Sequence, residues 1–419
     1  MTPTTQSDCC ISGAGPAGLM LGLLLARAGI SVTVIEKHED FLRDFRGDTM
    51  QRSGMRLLDE IGLGDRFRAI PQRHMNALTF VLDDGLVNAA DFSRLPGKYR
   101  YASLVPQWDL LNMLLTEAQQ EPTFTLIRPA EVHDLLWDRG QVAGVRFRDP
   151  EGIEHDLRAT LTVSCDGRGS TIRGKAGLVP EDKKVAVDCW WFQLPRRDTD
   201  PEGAGLLRVK GGEVLGLLDR GDFWQCGFFI DKGRDRDHRD DDVTHLRQQV
   251  ADFFPWLAER VDEISDWSDV HLLDVRLNRL RRWWRPGFLC LGDSAHAMSP
   301  AGGVGVNLAL QDAASAARLL ARPLRDKTLY SADLRRVQRR RAVPTFVTQQ
   351  MQRVLHKITL EPPTPGEPTP VPLMPRLMRR VPLLQAMPAA VIATGVLPEH
   401  APVESRLPSR SGHVLTAKH

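Results

Sequence analysis

Gly13-Ala14-Gly15-Pro16-Ala17-Gly18 is the stretch on which the fold of this 419-residue chain turns. It is preceded by a short apolar strand, Cys9-Cys10-Ile11-Ser12, and followed by a helical run, Leu19 to Ala26, that ends near Gly29. Val32-Thr33-Val34-Ile35 then forms a second apolar strand, closed by Glu36. Strand, glycine turn, helix and strand within about thirty residues is the unit that binds a dinucleotide. The helix N-terminus offers N–H groups and a partial positive charge to a pyrophosphate, and a carboxylate at the strand tip accepts the ribose hydroxyls. A 2′-phosphate would be repelled by Glu36, so the pattern admits FAD or NAD and excludes NADP. The candidate contacts are Gly13, Gly15, Ala17, Gly18, Glu36 and its neighbour Lys37.

A further apolar strand, Ala159 to Val163, delivers the chain to Ser164-Cys165-Asp166-Gly167, with Ser170 and Arg173 following. Taken alone, Asp166 before a glycine is a common turn cap. A third buried strand, Phe288 to Leu291, ends in Gly292-Asp293, and Pro300-Ala301-Gly302-Gly303-Val304-Gly305-Val306-Asn307 starts a helix expected through Leu320. Glycines there allow close approach of backbone to a ligand, and N–H groups near Val306 and Asn307 can stabilise negative charge.

In this order the three motifs resemble those of the flavoprotein aromatic hydroxylases of the p-hydroxybenzoate hydroxylase type, over roughly residues 8 to 320. The resemblance implies an α/β fold, a Rossmann-like FAD-binding domain with an inserted β-sheet substrate domain. It further implies bound FAD, NAD(P)H as transient reductant, and oxygen transfer from a flavin hydroperoxide to an aromatic or polycyclic small molecule. In that family an arginine at the place of Arg46 lies along the flavin, Arg or Gln at Gln107 touches FAD, and an aspartate at Asp166 bridges the FAD and NAD(P)H regions. Asp293 takes the place of the aspartate that binds the ribityl chain, and Pro300, Gly303, Gly305, Val306 and Asn307 line the isoalloxazine. The family has small residues, often Gly-Ala, where this chain has Ser164-Cys165. No residue is identified as a catalytic base. A tetracycline-destructase-like or polyketide-modifying monooxygenase shares the same frame, and a non-catalytic flavin-binding or partner-binding protein is the reading from another class. Steady NAD(P)H oxidation separates the last from the others.

The remaining sequence is organised around that frame. Residues 1–75, 103–178 and 280–345 are assigned to the FAD-binding domain, 76–102 and 179–279 to the substrate sheet, and 346–419 to a proline-rich segment with helices. Strands are expected at Leu78 to Leu82, Val185 to Phe192, Glu213 to Leu218 and Phe223 to Ile230, and an amphipathic helix over Val243 to Val261. Trp190, Trp191 and Trp224 are candidates for the wall of an aromatic pocket. Because side chains alternate along a strand, Trp190 and Trp191 must point to opposite faces. Arg335 to Arg341 reads as a solvated helix face, and Leu383 to Val396 as an apolar helix packing on its own protein.

Composition sets the outer bounds. Lys plus Arg number 55 against 53 Asp plus Glu, which gives no footprint for nucleic acid. The six cysteines mostly lie in apolar strand-like runs, as buried reduced thiols of a cytoplasmic protein do, and no metal or disulfide spacing is present. No apolar run approaches the roughly eighteen residues of a membrane span, and the N-terminus lacks the pattern of a secretion signal. The expected partners are a small aromatic substrate and O2, with the chain a monomer or homodimer.

Overall fold

The computed structural model describes residues 5–42, 49–82, 85–201, 203–210, 213–360 and 383–406; Arg46 and the proline-rich stretch from 361 lie outside them. Thr5–Ser12, Pro16–Arg27 and Val32–Ile35 form the strand–helix–strand unit at the start. Ten consecutive helix residues, Ala17 to Ala26, are buried, because the helix is clamped between the sheet and the helices Gln107–Ala118 and Gly305–Arg325. Pro16 takes the first helical position, where no intrahelical N–H bond is lost.

Five parallel strands make the centre of an eight-stranded sheet, in the spatial order Phe124–Ile127, Val32–Ile35, Thr5–Ser12, Glu154–Ser164, Phe288–Cys290. By chain order that is third, second, first, fourth, fifth. The connections diverge between the first and fourth strands, so a crevice opens at their carboxyl ends, where ligands of such sheets bind. Ser12 pairs with Ser164 there. Cys165 N–H donates to the Ser12 carbonyl (2.8 Å), which seats the first and second motifs side by side.

A second, seven-stranded sheet runs in the order His271–Leu273, Val187–Pro195, Phe223–Asp231, Glu213–Asp219, Gly205–Lys210, Ala77–Leu82, Gly85–Asp91. One face carries Trp190, Phe192, Leu194, Trp224, Cys226, Phe228 and Leu217 into a core shared with the helix Thr244–Phe253. The expected helix over Val243 to Val261 is broken because Pro255 cannot continue it, and a 3-10 segment, Pro255–Glu263, follows instead. The other face looks back toward the first sheet. Two long helices close the molecule. Ser331–Leu360 runs straight through the domain boundary expected at 345, and Leu383–Thr394 packs through Ala389 and Ala393 on Phe92, Leu95 and Leu104.

Candidate active site

A 710 Å³ cavity joins the two sheets. Its wall includes Gly13, Gly15, Ala17, Glu36, Lys37, Gln107, Asp166, Gly167, Asp293, Pro300, Gly303, Gly305 and Val306, which come from four separate parts of the chain. Each strand end arrives at the crevice, so residues 150 positions apart in sequence become neighbours.

The first motif is held by steric necessity. Gly13 has φ +98°, and a Cβ there would meet the Cys165 carbonyl oxygen at 2.5 Å. A Cβ on Gly18 would lie closer still to the Gly13 carbonyl oxygen, so Gly18 serves helix-to-turn packing and does not line the cavity. Glu36 is buried, and its carboxylate accepts from the N–H of Ala14 (2.8 Å) and of His38 (3.1 Å). A carboxylate is an acceptor of the kind that ribose hydroxyls need.

In the second motif the departure at Ser164 has a use. Asp166 accepts hydrogen bonds from Ser164 Oγ (2.5 Å) and Ser170 Oγ (2.8 Å). Burial pushes the Asp166 carboxyl above its ordinary range, and the two hydroxyls oppose that. Arg173 does not reach the cavity. Its guanidinium is buried and donates to the carbonyls of Arg168 (2.9 Å) and Ser294 (3.0 Å), tying the second motif to the third. Arg168 approaches Asp293 at 4.0 Å across the same gap.

The third motif is a loop wrapped on residues 49 to 51. Gly303 has φ +58° and abuts Thr49, where a Cβ would come within 2.5 Å of the threonine Cβ. Asn307 is buried off the cavity wall; it receives the Gln51 N–H (2.8 Å) and donates to the Thr49 carbonyl (3.0 Å). Its side chain thus shapes the loop. Gln51 itself lines the cavity, is fully buried, and its Oε1 has no hydrogen-bond partner among the described residues. A Cβ added to Gly15, Gly167, Gly169 or Gly305 would meet nothing within 4 Å, so backbone stands open to the cavity at each motif. An orphaned acceptor and a bare-backbone cradle beside Glu36 fit a flavin dinucleotide laid across the sheet ends.

The aromatic candidates divide. Trp191 lines the cavity, lying against Gly227 with Phe229 beside it, while Trp190 and Trp224 are on the opposite face in the core. Trp190 donates its indole N–H to Asp235 and Trp224 donates to Asp200, both at 2.7 Å. Those two belong to packing and leave the pocket to Trp191.

A family model described as an FAD binding domain matches residues 6–351. The chain belongs to the class A flavoprotein monooxygenases. It is 34% identical over 364 residues to a 6-methylpretetramide 4-monooxygenase of Streptomyces rimosus, covering 85% of each chain. It is 30% identical over 325 residues to the 12-dehydrotetracycline 5-monooxygenase/anhydrotetracycline 6-monooxygenase of Streptomyces rimosus subsp. rimosus, covering 73% of this chain and 61% of that one, about three fifths of its length. A solved anhydrotetracycline hydroxylase from Streptomyces rimosus superposes with a TM-score of 0.73 at 25% identity, covering 93% of this chain and 76% of that one. The chain is an FAD-dependent monooxygenase with the p-hydroxybenzoate hydroxylase fold.

In this monooxygenase the cofactor loop rests on a buried charged cluster that motif reading passes over. Asp312 is wholly buried; Oδ2 accepts from Gly292 N–H (3.1 Å) and contacts His296 Nε2 (2.6 Å), and Oδ1 accepts from Arg341 Nε (2.8 Å). Burial alone would raise this carboxyl, but His296 and Arg341 outweigh it and hold the group below its ordinary range. Arg341 is fully buried, which corrects the reading of Arg335 to Arg341 as a solvated face. Its neighbour Arg340 pairs with Glu399 (2.5 Å), so the C-terminal stretch is locked onto the same cluster. The helix Ser331–Leu360 also grips the third motif directly. Gln349 Nε2 donates to the carbonyls of Asn278 (2.7 Å) and Ala297 (3.3 Å), and Gln352 Nε2 to those of Ser299 (2.8 Å) and Ala301 (2.9 Å). The available signal was the lone acid, Asp312, in an alanine-rich helix.

Proposed function

We propose that this chain hydroxylates a flat, polycyclic phenolic substrate of the aromatic polyketide class, with NAD(P)H as reductant and O2 as oxygen donor. One observation carries the substrate reading: the cavity that begins at Glu36 continues past Pro300 to Val306 and along an apolar sheet face made of Leu207, Val214, Leu218 and Phe229. On that face Gly216 and Gly227 sit directly opposite one another, and the side chains of Leu207 and Trp191 lie across the space their missing side chains leave. An apolar sheet face suits a rigid ring system, since ring faces gain contact over their whole area. The names of the polyketide-tailoring relatives favour the same class.

Bound FAD, once reduced, supplies the activation of oxygen. The chain's residues hold and orient. Glu36 and the first turn fix the adenosine end, Asp166 and Asp293 the middle, and the Pro300 to Val306 backbone the reactive ring, while the sheet face and the helices Ser331–Leu360 and Leu383–Thr394 exclude water. Trp191 and Phe229 position the substrate ring. Residues 1–75, 103–178 and 280–345 serve the cofactor, and 76–102 and 179–279 the substrate. Six free, buried cysteines favour a reducing, cytoplasmic setting. Among the described residues no helix is long and apolar enough to cross a membrane.

The test is a panel of tri- and tetracyclic phenols given to FAD-loaded protein with NADH or NADPH. The expected result is faster cofactor oxidation and a product heavier by one oxygen atom. Oxygenation of monocyclic phenols alone would refute the polycyclic assignment.

A further inference from the structure

Oxygen transfer to an arene is electrophilic, so a phenol reacts faster as its phenolate, whose charge enters the ring. A wall residue that takes the hydroxyl proton would therefore speed the reaction, and none of the three motifs supplies one. The cavity wall carries carboxylates at Glu36, Glu131, Asp166 and Asp293 and cations at Lys37, Arg168 and Arg220. Glu36 is engaged with Ala14 and His38, Asp166 with two serines, Asp293 faces Arg168, and Glu131 is exposed to solvent. Among the described residues the wall has one imidazole, His356.

His356 comes from the helix Ser331–Leu360 and reaches Ser299, the residue just before Pro300; Nε2 and Oγ are 2.8 Å apart, and both side chains are buried on the cavity wall. Ser299 is held on three sides. Gln352 accepts its N–H (3.1 Å) and donates to its carbonyl (2.8 Å), and the Ala301 N–H donates to Oγ (3.2 Å). A hydroxyl has one proton to give and two acceptor positions. With the proton directed to His356 and one acceptor position used by Ala301, a single acceptor position is left for a ligand. Burial holds the His356 imidazole below its ordinary value, so near neutral pH it is uncharged and free to take a proton.

Resting on the polycyclic phenol assignment above, we propose that Ser299 and His356 are the proton acceptor for the substrate hydroxyl. The phenolic O–H bond breaks as its proton passes to Ser299 Oγ, and the serine proton passes to His356 Nε2. The products are a bound phenolate and an imidazolium; no electrons move. Ser299 is the catalytic contact and His356 the final seat of the proton.

The test uses FAD-loaded full-length protein and the probe 1,8-dihydroxyanthraquinone, whose phenolate absorbs at longer wavelength than the phenol, titrated with pH by difference spectroscopy. In the unaltered protein the bound probe should ionise at lower pH than the free probe. In His356→Gln and Ser299→Ala the ionisation should move back by about one pH unit or more, a tenfold change in ratio. Hydroxylation should fall on the order of 100-fold while NAD(P)H oxidation continues. FAD content and Tm report folding, and if Ser299→Ala loses FAD the glutamine variant decides alone. Ionisation of the bound probe unchanged in His356→Gln, or a probe that the unaltered protein leaves unbound or un-ionised, overturns the relay. Failure to oxygenate the bound probe would instead count against the substrate assignment, since the titration reads proton transfer without turnover.

Discussion

Replacing Asp312 by Asn should destabilise the protein and loosen FAD together. The side chain is wholly buried and touches three groups: the Gly292 N–H, His296 and Arg341. The amide can keep one acceptor toward Gly292 or Arg341, but it carries no charge. Among the described residues Arg341, itself fully buried, then keeps Glu399 as its one carboxylate neighbour, at 3.7 Å. Removing one partner of a buried pair costs about 3–5 kcal/mol, and the residual Glu399 contact places this case near the lower end, about 3 kcal/mol. For a chain of this length the unfolding entropy is roughly 0.9 kcal/mol/K, so Tm should fall by about 3–4 °C. With one acceptor oxygen left in place of two, Gly292 and Arg341 compete for it; where it turns to the buried arginine, the Gly292 N–H beside Asp293 loses its anchor, so FAD should dissociate more readily. Thermal melts of the FAD-loaded protein and flavin fluorescence after dilution measure the two effects. An unchanged Tm with unchanged FAD retention would refute the argument that this cluster fixes the cofactor loop.

Other outcomes follow from single contacts. Trp190→Ala, in the core behind the sheet, should cost about 3–5 kcal/mol in denaturant unfolding and leave KM for substrate near its original value; Trp191→Ala should do the reverse, raising KM or diverting NAD(P)H oxidation to hydrogen peroxide, and equal effects of both would contradict their placement on opposite faces of the sheet. Gly13→Ala must place a Cβ against the Cys165 carbonyl at positive φ, so the strain of about 1–2 kcal/mol from backbone and 1–3 kcal/mol from overpacking should yield protein poor in FAD, and normal flavin content would argue against a tight turn. The Asp200 carboxyl, which burial would raise, is instead held at about 2 by Arg260, the Arg197 N–H and the Trp224 indole. Its folded value lies below its unfolded one, so its stabilisation is full above the unfolded value near pH 4 and is lost as pH falls toward 2; Asp200→Asn should flatten unfolding free energy against pH in that interval, and an unaltered slope would remove this pair from the acid response.

Much of the cofactor half is legible because its requirements are local. A glycine turn at a helix start, an acid at a strand tip and two further strand-end motifs each lie within a dozen residues, and each answers to sterics or charge at that place. Strand alternation likewise requires Trp190 and Trp191 to face apart. Which of them meets the cavity is decided by what each face packs against: the helix Thr244–Phe253 covers one side and the cofactor sheet stands across the other. The arginines from 335 to 341 show the same division. Helical spacing and high charge describe a solvated face when read alone, yet Arg341 is fully buried because Asp312 and Glu399, far away in the chain, meet it from two other segments.

The sequence by itself determined the dinucleotide site and the strand ends that hold it, since short-range sterics and helix electrostatics dictate these wherever the chain goes, and the order of its three motifs, through their resemblance to a known family, pointed to FAD. Only the tertiary structure decided that Asp312 braces Gly292, that Gln352 clamps the Pro300 loop, and that Ser299 and His356 share one wall. Those contacts join residues 20 to 57 positions apart through the docking of two helices, Gly305–Arg325 and Ser331–Leu360, on one loop, and no periodicity in the sequence encodes where two elements touch; packing of the whole core does.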